Sequence, residues 1–240
     1  MSDILVLCYH AVSPRWTAPM AVTPEALERQ LGYLVRHGWR SASFCEAVLS
    51  PSAPRTLAVT FDDAFASVKE LALPVLESLG LTATVFAPTA SVSAGERLSW
   101  DGIEHWKDTP YAGELTPMSW DDLGTLAERG WEIGSHTLTH PHLMQVDDEH
   151  LRFELEESRH ECSRQLGRAC NTIAYPYGNV DERVIDGARK SGYLAGASLS
   201  RHLERLGPHC WPRVGVYSAD AAWRFRLKVA RPARALRAAL

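Results

Sequence analysis

The amino-acid sequence predicts an α/β protein with a parallel sheet that is closed, or nearly closed, into a barrel. Short apolar runs alternate with amphipathic helical patterns along the chain, which is typical of repeated strand-helix-strand units. Polar residues of catalytic types directly follow several of these runs. The length of 240 residues, 45% of them hydrophobic and 22% charged, suits one barrel domain.

The predicted elements follow in a regular order. An apolar run at Ile4–Tyr9 forms the first strand, and Thr23 with Pro24 begins a helix that reaches about His37 and stops at Gly38. The further strands are predicted at Leu57–Phe61, Ala83–Ala87, Trp131–Ser135, Asn171–Ala174 and Tyr193–Ala197. The further helices are predicted at Ser67–Leu79, Ser119–Glu128, Asp148–Leu166 and Val180–Lys190.

The segment from Ser91 to Pro117 has no clear periodicity and predicts a long loop. Loops of this kind often line a binding cleft. Its aromatic residues Trp100, Trp106 and Tyr111 could stack on sugar rings, or they could serve only to pack the loop.

Charge and the first residues bear on partners and location. A formal net charge of −4 gives no general attraction to nucleic acid, so no nucleic-acid partner is predicted. The chain enters its first strand without the basic region and cleavage site of a signal peptide, which predicts a cytoplasmic protein. The five cysteines have no metal-ligand spacing, so reduced thiols that mostly fill the core are predicted.

Four sets of polar residues share one kind of place in the predicted fold. They are His10 after the first strand, Asp62-Asp63 after the second, His136 and His140 after Trp131–Ser135, and Tyr175-Pro176-Tyr177 after Asn171–Ala174. The carboxyl ends of the strands form the active-site face of parallel barrels. We therefore expect the four sets to converge on one rim.

Each set also has a purely structural interpretation. Asp62 and Asp63 alone fit a helix cap beside a solvated carboxylate. His136 and His140 can meet one metal if the segment is helical or tightly turned, whereas a single histidine more often packs in the core or on the surface. His142 is assigned to that packing role.

The combination indicates hydrolytic chemistry. One carboxylate and two imidazoles supply three ligands for a divalent cation and leave a position for water. A second carboxylate beside that water can act as a general base. Such a group can hydrolyse an amide.

Three segments resemble the motifs of the polysaccharide deacetylase (NodB-like, carbohydrate esterase family 4) family. Thr60-Phe61-Asp62-Asp63-Ala64 resembles the first motif, with Ala64 in place of its usual Gly. The segment from Ser135 to His140 resembles the second motif, and Ala174-Tyr175-Pro176-Tyr177-Gly178 resembles the third. The similarity runs from about residue 4 to residue 215.

The resemblance implies a distorted (β/α)7-type barrel that binds one divalent ion, most commonly zinc. By motif position, Asp63, His136 and His140 would hold the metal and Asp62 would be the catalytic base. Tyr177 would offer its backbone N–H to the oxyanion of the tetrahedral intermediate. The implied reaction releases acetate from an N-acetylated amino sugar in a glycan or glycoconjugate.

Two departures from the family pattern concern catalytic residues. Ala174 replaces the arginine of the third motif, and Arg213 is the candidate to orient Asp62 instead; a surface arginine is the alternative. The late Leu-x-His motif is absent, and Leu7-Cys8-Tyr9-His10 resembles the subgroup of poly-N-acetylglucosamine deacetylases whose barrel order is circularly permuted. His10 is therefore the predicted general acid. It could instead support a neighbouring loop or a metal ligand from outside the coordination sphere.

Two other functions stay open at this stage. A barrel of this kind also serves amidohydrolases of small non-sugar amides, because a fold does not determine a substrate. A catalytically silent glycan-binding module is the other alternative, although binding alone needs no poised base.

The predicted deacetylase domain spans residues 1–218, and residues 219–240 form a basic tail. The tail carries Arg224, Arg226, Lys228, Arg231, Arg234 and Arg237 with interspersed apolar residues and no acid after Asp220. It could rest on an anionic membrane near a lipid-linked substrate, or it could pack on the barrel or be solvated as a terminal helix. No feature of the sequence predicts an oligomeric state.

Overall fold

A ring of parallel strands surrounds the middle of the molecule. The computed structural model describes residues 3–199 and 207–239. The strands are β1 (Asp3–Tyr9), β2 (Ala11–Val12), β3 (Ala21–Val22), β4 (Arg40–Ser41), β5 (Arg55–Phe61), β6 (Thr84–Ala87), β7 (Glu132–Ser135), β8 (Thr172–Ala174), β9 (Ala195–Ser198), β10 (Trp211–Pro212) and β11 (Val214–Gly215). The main sheet has the order β10-β9-β8-β7-β6-β5-β1-β11.

One short segment closes this ring. β10 pairs with β9, where Trp211 lies beside Ala197. β11 pairs with β1, where Val214 lies beside Leu7. Only Arg213 separates β10 from β11, so residues 211–215 join the two edges of the sheet. The structure is therefore the predicted distorted (β/α)7-type barrel, with its seventh strand broken in the middle.

Side chains of the long strands alternate between the barrel interior and the surrounding helices. Leu5 and Leu7 of β1 belong to the larger apolar cluster beneath the helices. Ile4 and Val6 belong to a smaller cluster inside the barrel, together with Ala58, Phe86 and Trp211. Because the alternation has a period of two, Cys8 continues the inward series of β1. The interior series of β5, which includes Ala58 and Thr60, leads to Asp62 in the same way.

The helices complete the strand-helix repeats. They are α1 (Pro24–Arg36), α2 (Phe44–Leu49), α3 (Leu73–Ser78), α4 (Thr89–Ala94), α5 (Trp120–Glu128), α6 (Asp148–Leu166), α7 (Glu182–Lys190), α8 (Ala222–Val229) and α9 (Arg231–Ala239). Side-chain caps begin several of them where the sequence predicts a start. Thr23 caps α1, Ser119 and Asp122 form a capping box at α5, and Asp181 caps α7.

Several elements differ from the sequence prediction. The predicted helix Ser67–Leu79 divides into a π-helical turn, Val68–Ala72, and the shorter α3, because Pro74 has no N–H to continue the α-helical hydrogen bonds. The strand predicted at Tyr193–Ala197 begins two residues later. Tyr193 instead follows the turn that ends α7 and donates its backbone N–H to the Ala188 carbonyl.

The N-terminal end of the barrel is closed by α2, which the sequence analysis did not predict. Phe44 and Ala47 pack into the interior cluster. The partly buried carboxylate of Glu132 accepts hydrogen bonds from the Cys45 amide (2.9 Å), the Thr84 hydroxyl (3.0 Å) and the Thr172 hydroxyl (2.6 Å). This polar layer ties α2 to β6, β7 and β8.

The basic tail packs against the barrel. Phe225 and Val229 of α8 are buried, Lys228 forms an ion pair with Asp220, and Arg234 of α9 forms one with Asp3 at 2.8 Å. The outer face leaves Trp223 and Leu227 70% and 59% exposed. Within residues 3–199 and 207–239, no helix is both long and apolar enough to cross a bilayer.

Candidate active site

The predicted site residues converge at the carboxyl end of the barrel. His10 follows β1, Asp62 and Asp63 follow β5, His136 and His140 follow β7, Tyr177 follows β8, and Arg213 lies between β10 and β11. The loop after β6 joins the same rim, because the Thr89 and Ala90 amides donate to the carbonyls of Thr137 and Leu138.

Asp63, His136 and His140 form a buried three-residue group. The Nε2 atoms of His136 and His140 lie 3.4 and 3.5 Å from Oδ1 of Asp63. All three side chains are at least 95% buried, and their ligand atoms lie within 4.8 Å of one another. Asp63 Oδ1 has no hydrogen-bond partner although it is buried, which is costly for a carboxylate oxygen unless a cation neutralises it.

The geometry of this group fits one tetrahedral metal ion. Ligand bonds of about 2.0–2.1 Å place neighbouring ligand atoms of a tetrahedron roughly 3.3 Å apart, close to the separations measured from Asp63. Nδ1 of His136 lies 2.8 Å from the Ala174 carbonyl oxygen. This contact selects the tautomer whose Nε2 is free to bind a metal.

Asp62 lies beside the three-residue group and is paired with Arg213. Two hydrogen bonds join them, from Nη1 to Oδ1 at 2.6 Å and from Nη2 to Oδ2 at 2.8 Å. Arg213 is fully buried, and its Nη1 also donates to the Thr60 hydroxyl at 3.0 Å. The Cys8 thiol lies 3.4 Å from Oδ2 of Asp62 and donates to it. The two adjacent carboxylates thus have different surroundings.

The electrostatics follow from these partners. Burial alone would raise the pKa of Asp62, but the adjacent guanidinium of Arg213 holds it well below its usual value. Burial and the neighbouring imidazole of His136 lower the pKa of His140 to about 3. Asp62 is therefore ionised and His140 neutral near pH 7, which are the forms needed by a base and by a metal ligand.

The sequence pattern of a known family covers most of this site. The pattern described as polysaccharide deacetylase matches residues 50–196, more than half of the chain. That range contains the Asp62-Asp63 pair, His136, His140 and Tyr177. The chain belongs to the polysaccharide deacetylase family. His10 and Arg213 lie outside the matched range, and the fold brings them to the site.

Relatives extend the similarity over most of the chain. The protein YxkH of Bacillus subtilis (strain 168), whose name places it among the polysaccharide deacetylases, is 23% identical over 198 residues, 80% of this chain. The present chain spans 63% of the length of that relative.

Two solved structures share the fold along nearly the whole length of both chains. The deacetylase PplD of Streptococcus pyogenes, solved in complex with acetate, is 19% identical with a TM-score of 0.80 over 95% of this chain and 98% of that one. IcaB of Ammonifex degensii is 22% identical with a TM-score of 0.76 over 95% and 97%. At these identities the likeness shows the fold.

Backbone strain is concentrated in the polysaccharide deacetylase motifs. Among the described residues, those other than glycine with a positive φ are Asp63, Ala64, Thr137, His140 and Tyr177. The left-handed conformation costs about 1–2 kcal/mol for an L-residue, and such strain clusters at functional sites. Ala64, which replaces the motif glycine, keeps this conformation with a φ of 53°.

His10 lies beside Asp62, and Tyr177 lies at the rim. One ring nitrogen of His10 is within 4.8 Å of Asp62 and Cys8, and its Nδ1 is buried without a hydrogen-bond partner. Tyr177 has a φ of 60° at the turn after β8, and its ring centroid lies 4.9 Å from that of His140.

Aromatic rings pack around the three-residue group of Asp63, His136 and His140. Trp100 stacks on His140 with ring centroids 4.1 Å apart, so the long loop covers one histidine of the three-residue group. His142, assigned to packing, stacks on Tyr177 at 3.7 Å on the rim. Trp106 packs against Trp16 and Tyr111, which is the loop packing that the sequence allows, and its contact with a sugar stays a prediction. The only sequence feature that singles out His142 is its position in a cluster of three histidines within seven residues.

Proposed function

We propose that this chain is a metal-dependent hydrolase that removes N-acetyl groups from an amino sugar in a glycan or glycoconjugate. The observation that carries the proposal is that two adjacent carboxylates have different partners. Asp63 faces two buried imidazoles, and Asp62 is held by Arg213. Family membership supports the reaction class, and the acetate complex of PplD suits a site that releases acetate.

Asp63, His136 and His140 would hold the metal. Two imidazoles and a carboxylate form a donor set suited to zinc, with room for a further ligand. When bound, a divalent ion would act as a Lewis acid toward the acetyl carbonyl and the attacking water.

Asp62 is the proposed base. An ionised carboxylate accepts about four hydrogen bonds, and Arg213 and Cys8 supply three to Asp62. Oδ1 therefore retains one direction in which to take the proton from water as its oxygen forms a bond to the carbonyl carbon. Because Arg213 fixes both oxygens, this direction is set before substrate binds.

Tyr177 and His10 complete the proposed reaction. The backbone N–H of Tyr177 would donate to the oxyanion, and the strained turn that carries it holds the donor in place before the reaction. His10 would give a proton to the amide nitrogen as the C–N bond breaks. Acetate and a free amine leave.

An assay of acetate release tests this function directly. Zinc-loaded protein incubated with N-acetylglucosamine oligomers should release acetate and free amine in equal amounts, and removal of the metal by a chelator should stop both. Hydrolysis of small non-sugar amides alone would favour an amidohydrolase. Binding of the oligomers without acetate release would favour a glycan-binding module.

For the tail we propose contact with an anionic membrane surface. Trp223 and Leu227 lie one helical turn apart on the exposed face of α8, and exposed Arg224 and Arg231 flank them. Exposed tryptophan beside arginine suits the interface of an anionic bilayer. Residence in the cytoplasm and the boundary at residue 218 stay predictions.

Vesicle co-sedimentation tests the tail proposal. The wild-type chain should bind phosphatidylglycerol vesicles more than neutral ones, and the double variant Trp223→Ser/Leu227→Ser should lose that binding. Leu194→Ser, which changes an exposed leucine elsewhere on the surface, is the control. Equal binding by all three proteins would refute membrane contact through α8.

A further inference from the structure

The carboxylate of Glu154 on α6 contacts the loop that carries His136 and His140. Glu154 is fully buried. Its Oε2 accepts hydrogen bonds from the backbone N–H groups of Leu138 and Thr139, both at 2.9 Å. Its Oε1 accepts one from the Thr139 hydroxyl. The ring of His150, half exposed on the same helix, lies 3.5 Å from Oε1.

Helix packing alone does not account for a glutamate at this position. Leu151 and Leu155 on the same face of α6 are buried in the apolar core. A buried carboxylate is costly unless hydrogen bonds satisfy it, whereas an apolar side chain would extend the packing surface at no such cost. The contacts of Glu154 with Leu138 and Thr139 are therefore its distinguishing feature.

The loop that Glu154 contacts has an unfavourable backbone. Thr137 and His140 have φ values of 66° and 64°, in the left-handed region that L-residues avoid. Glu154 contacts Leu138 and Thr139, which lie between these two residues. A shift of this short loop would move the His140 ring relative to Asp63.

A second contact from α6 holds the start of the same loop. Ser158 lies one turn after Glu154, and its hydroxyl is 2.8 Å from that of Ser135. The Ser135 hydroxyl also accepts from the Thr137 amide at 3.0 Å. One face of α6 thus contacts the loop at both ends, while the amides of α4 contact its other side.

We propose that Glu154 is a positioning residue for the metal site, holding the backbone at residues 138–139 so that His140 meets Asp63 and His136. The inference rests on the proposed function in that it takes this group to bind a metal. Glu154 does not contact the side chains of Asp63, His136 or His140, and it acts on them through the loop.

The test is zinc affinity measured by chelator competition on purified protein. Glu154→Ala should bind zinc about 10-fold more weakly than wild type, the lower end of the loss caused by removing a group bonded to a metal ligand, because Glu154 contacts the residues next to His140 rather than His140 itself. Glu154→Gln, which keeps an acceptor for the two amides, should lose only several-fold. The control is Glu157→Ala, which removes an exposed carboxylate from the same helix and should bind zinc as wild type does.

A second readout separates positioning from a general structural role. Zinc raises Tm according to its affinity for the folded protein, so Glu154→Ala should show a smaller zinc-induced rise in Tm than Glu157→Ala. A variant with a lower Tm but an unchanged rise and unchanged zinc affinity would overturn the proposal. If Glu154→Ala does not fold, wild-type zinc affinity in Glu154→Gln would overturn it, and a several-fold loss there would support it. Absence of zinc binding by the wild type would instead refute the metal site of the proposed function.

Discussion

Arg213 and Asp62 are 151 positions apart in the sequence and meet through two hydrogen bonds of 2.6 and 2.8 Å inside the barrel. Arg213 occupies the break between β10 and β11, the segment that closes the ring of strands. The same segment therefore completes the fold and orients the proposed base. The third motif of the family usually carries an arginine at the end of another strand, β8, where this chain has Ala174.

This ion pair predicts the effect of Arg213→Lys. Lysine retains the charge but cannot form two parallel hydrogen bonds with a carboxylate, so Asp62 should lose its fixed orientation. We expect zinc content near that of wild type and a kcat lower by about 10²-fold, the scale of a small misplacement of a catalytic group. Wild-type kcat in a folded, zinc-loaded variant would remove Arg213 from the orienting role.

The left-handed backbone of Ala64 leads us to expect that glycine at this position changes the stability of the protein little. Relief of about 1–2 kcal/mol of backbone strain should offset the lost methyl burial and the greater entropy of unfolded glycine. The free energy of unfolding of Ala64→Gly, measured in urea, should therefore be at most about 1 kcal/mol lower than that of wild type, or it should be higher. Ala47→Gly in α2 is the matched control and should destabilise the protein by about 1 kcal/mol or more. Equal losses in both variants would argue against strain at Ala64.

Glu132 predicts a pH dependence of stability at the closed end of the barrel. Burial raises its pKa despite the opposing hydrogen bonds from Thr172, Cys45 and Thr84. A carboxyl group with a raised pKa in the folded state contributes stability below its unfolded pKa of about 4.3 and loses that contribution as pH rises through the folded pKa. The stability of Glu132→Gln relative to wild type should thus increase from pH 4 toward neutral pH. Urea unfolding at several pH values measures this difference, and a flat or falling difference would contradict it.

His10→Ala tests the proposed general acid. The variant should keep its fold and near-native zinc content but lose most turnover on N-acetylated sugars, because an amide nitrogen leaves poorly without a proton. The loss should be smaller on activated acetyl esters, whose leaving groups need no acid. Loss of zinc would instead assign His10 to the coordination sphere, and wild-type turnover would exclude it from the reaction.

Apolar periodicity extends over most of the long strands and helices, so the barrel and these elements can be predicted from the sequence. β4, α2 and the 211–215 segment were missed because two to six residues carry too little periodicity, and their pairing depends on residues far away in the chain. The motif residues were predicted for a related reason, since they follow recognisable strands.

Contacts made across the fold could not be predicted in the same way. Cys8 resembles any core cysteine in the sequence, yet the inward alternation of β1 brings its thiol to Asp62. Glu154 lies within an acidic helix, and only the docking of α6 distinguishes it from its exposed neighbour Glu157. Trp100 belongs to a loop without periodicity, so its stacking on His140 had no local signal.

The most direct measurement compares Asp62→Asn with Asp63→Asn for bound zinc and for acetate release from N-acetylglucosamine oligomers. The two side chains are adjacent in sequence and both buried, so differences in exposure do not complicate the comparison. Asp62→Asn should retain zinc and lose turnover, whereas Asp63→Asn should lose zinc and turnover together. An empty site in Asp62→Asn with zinc retained in Asp63→Asn would reverse the two roles and contradict the account.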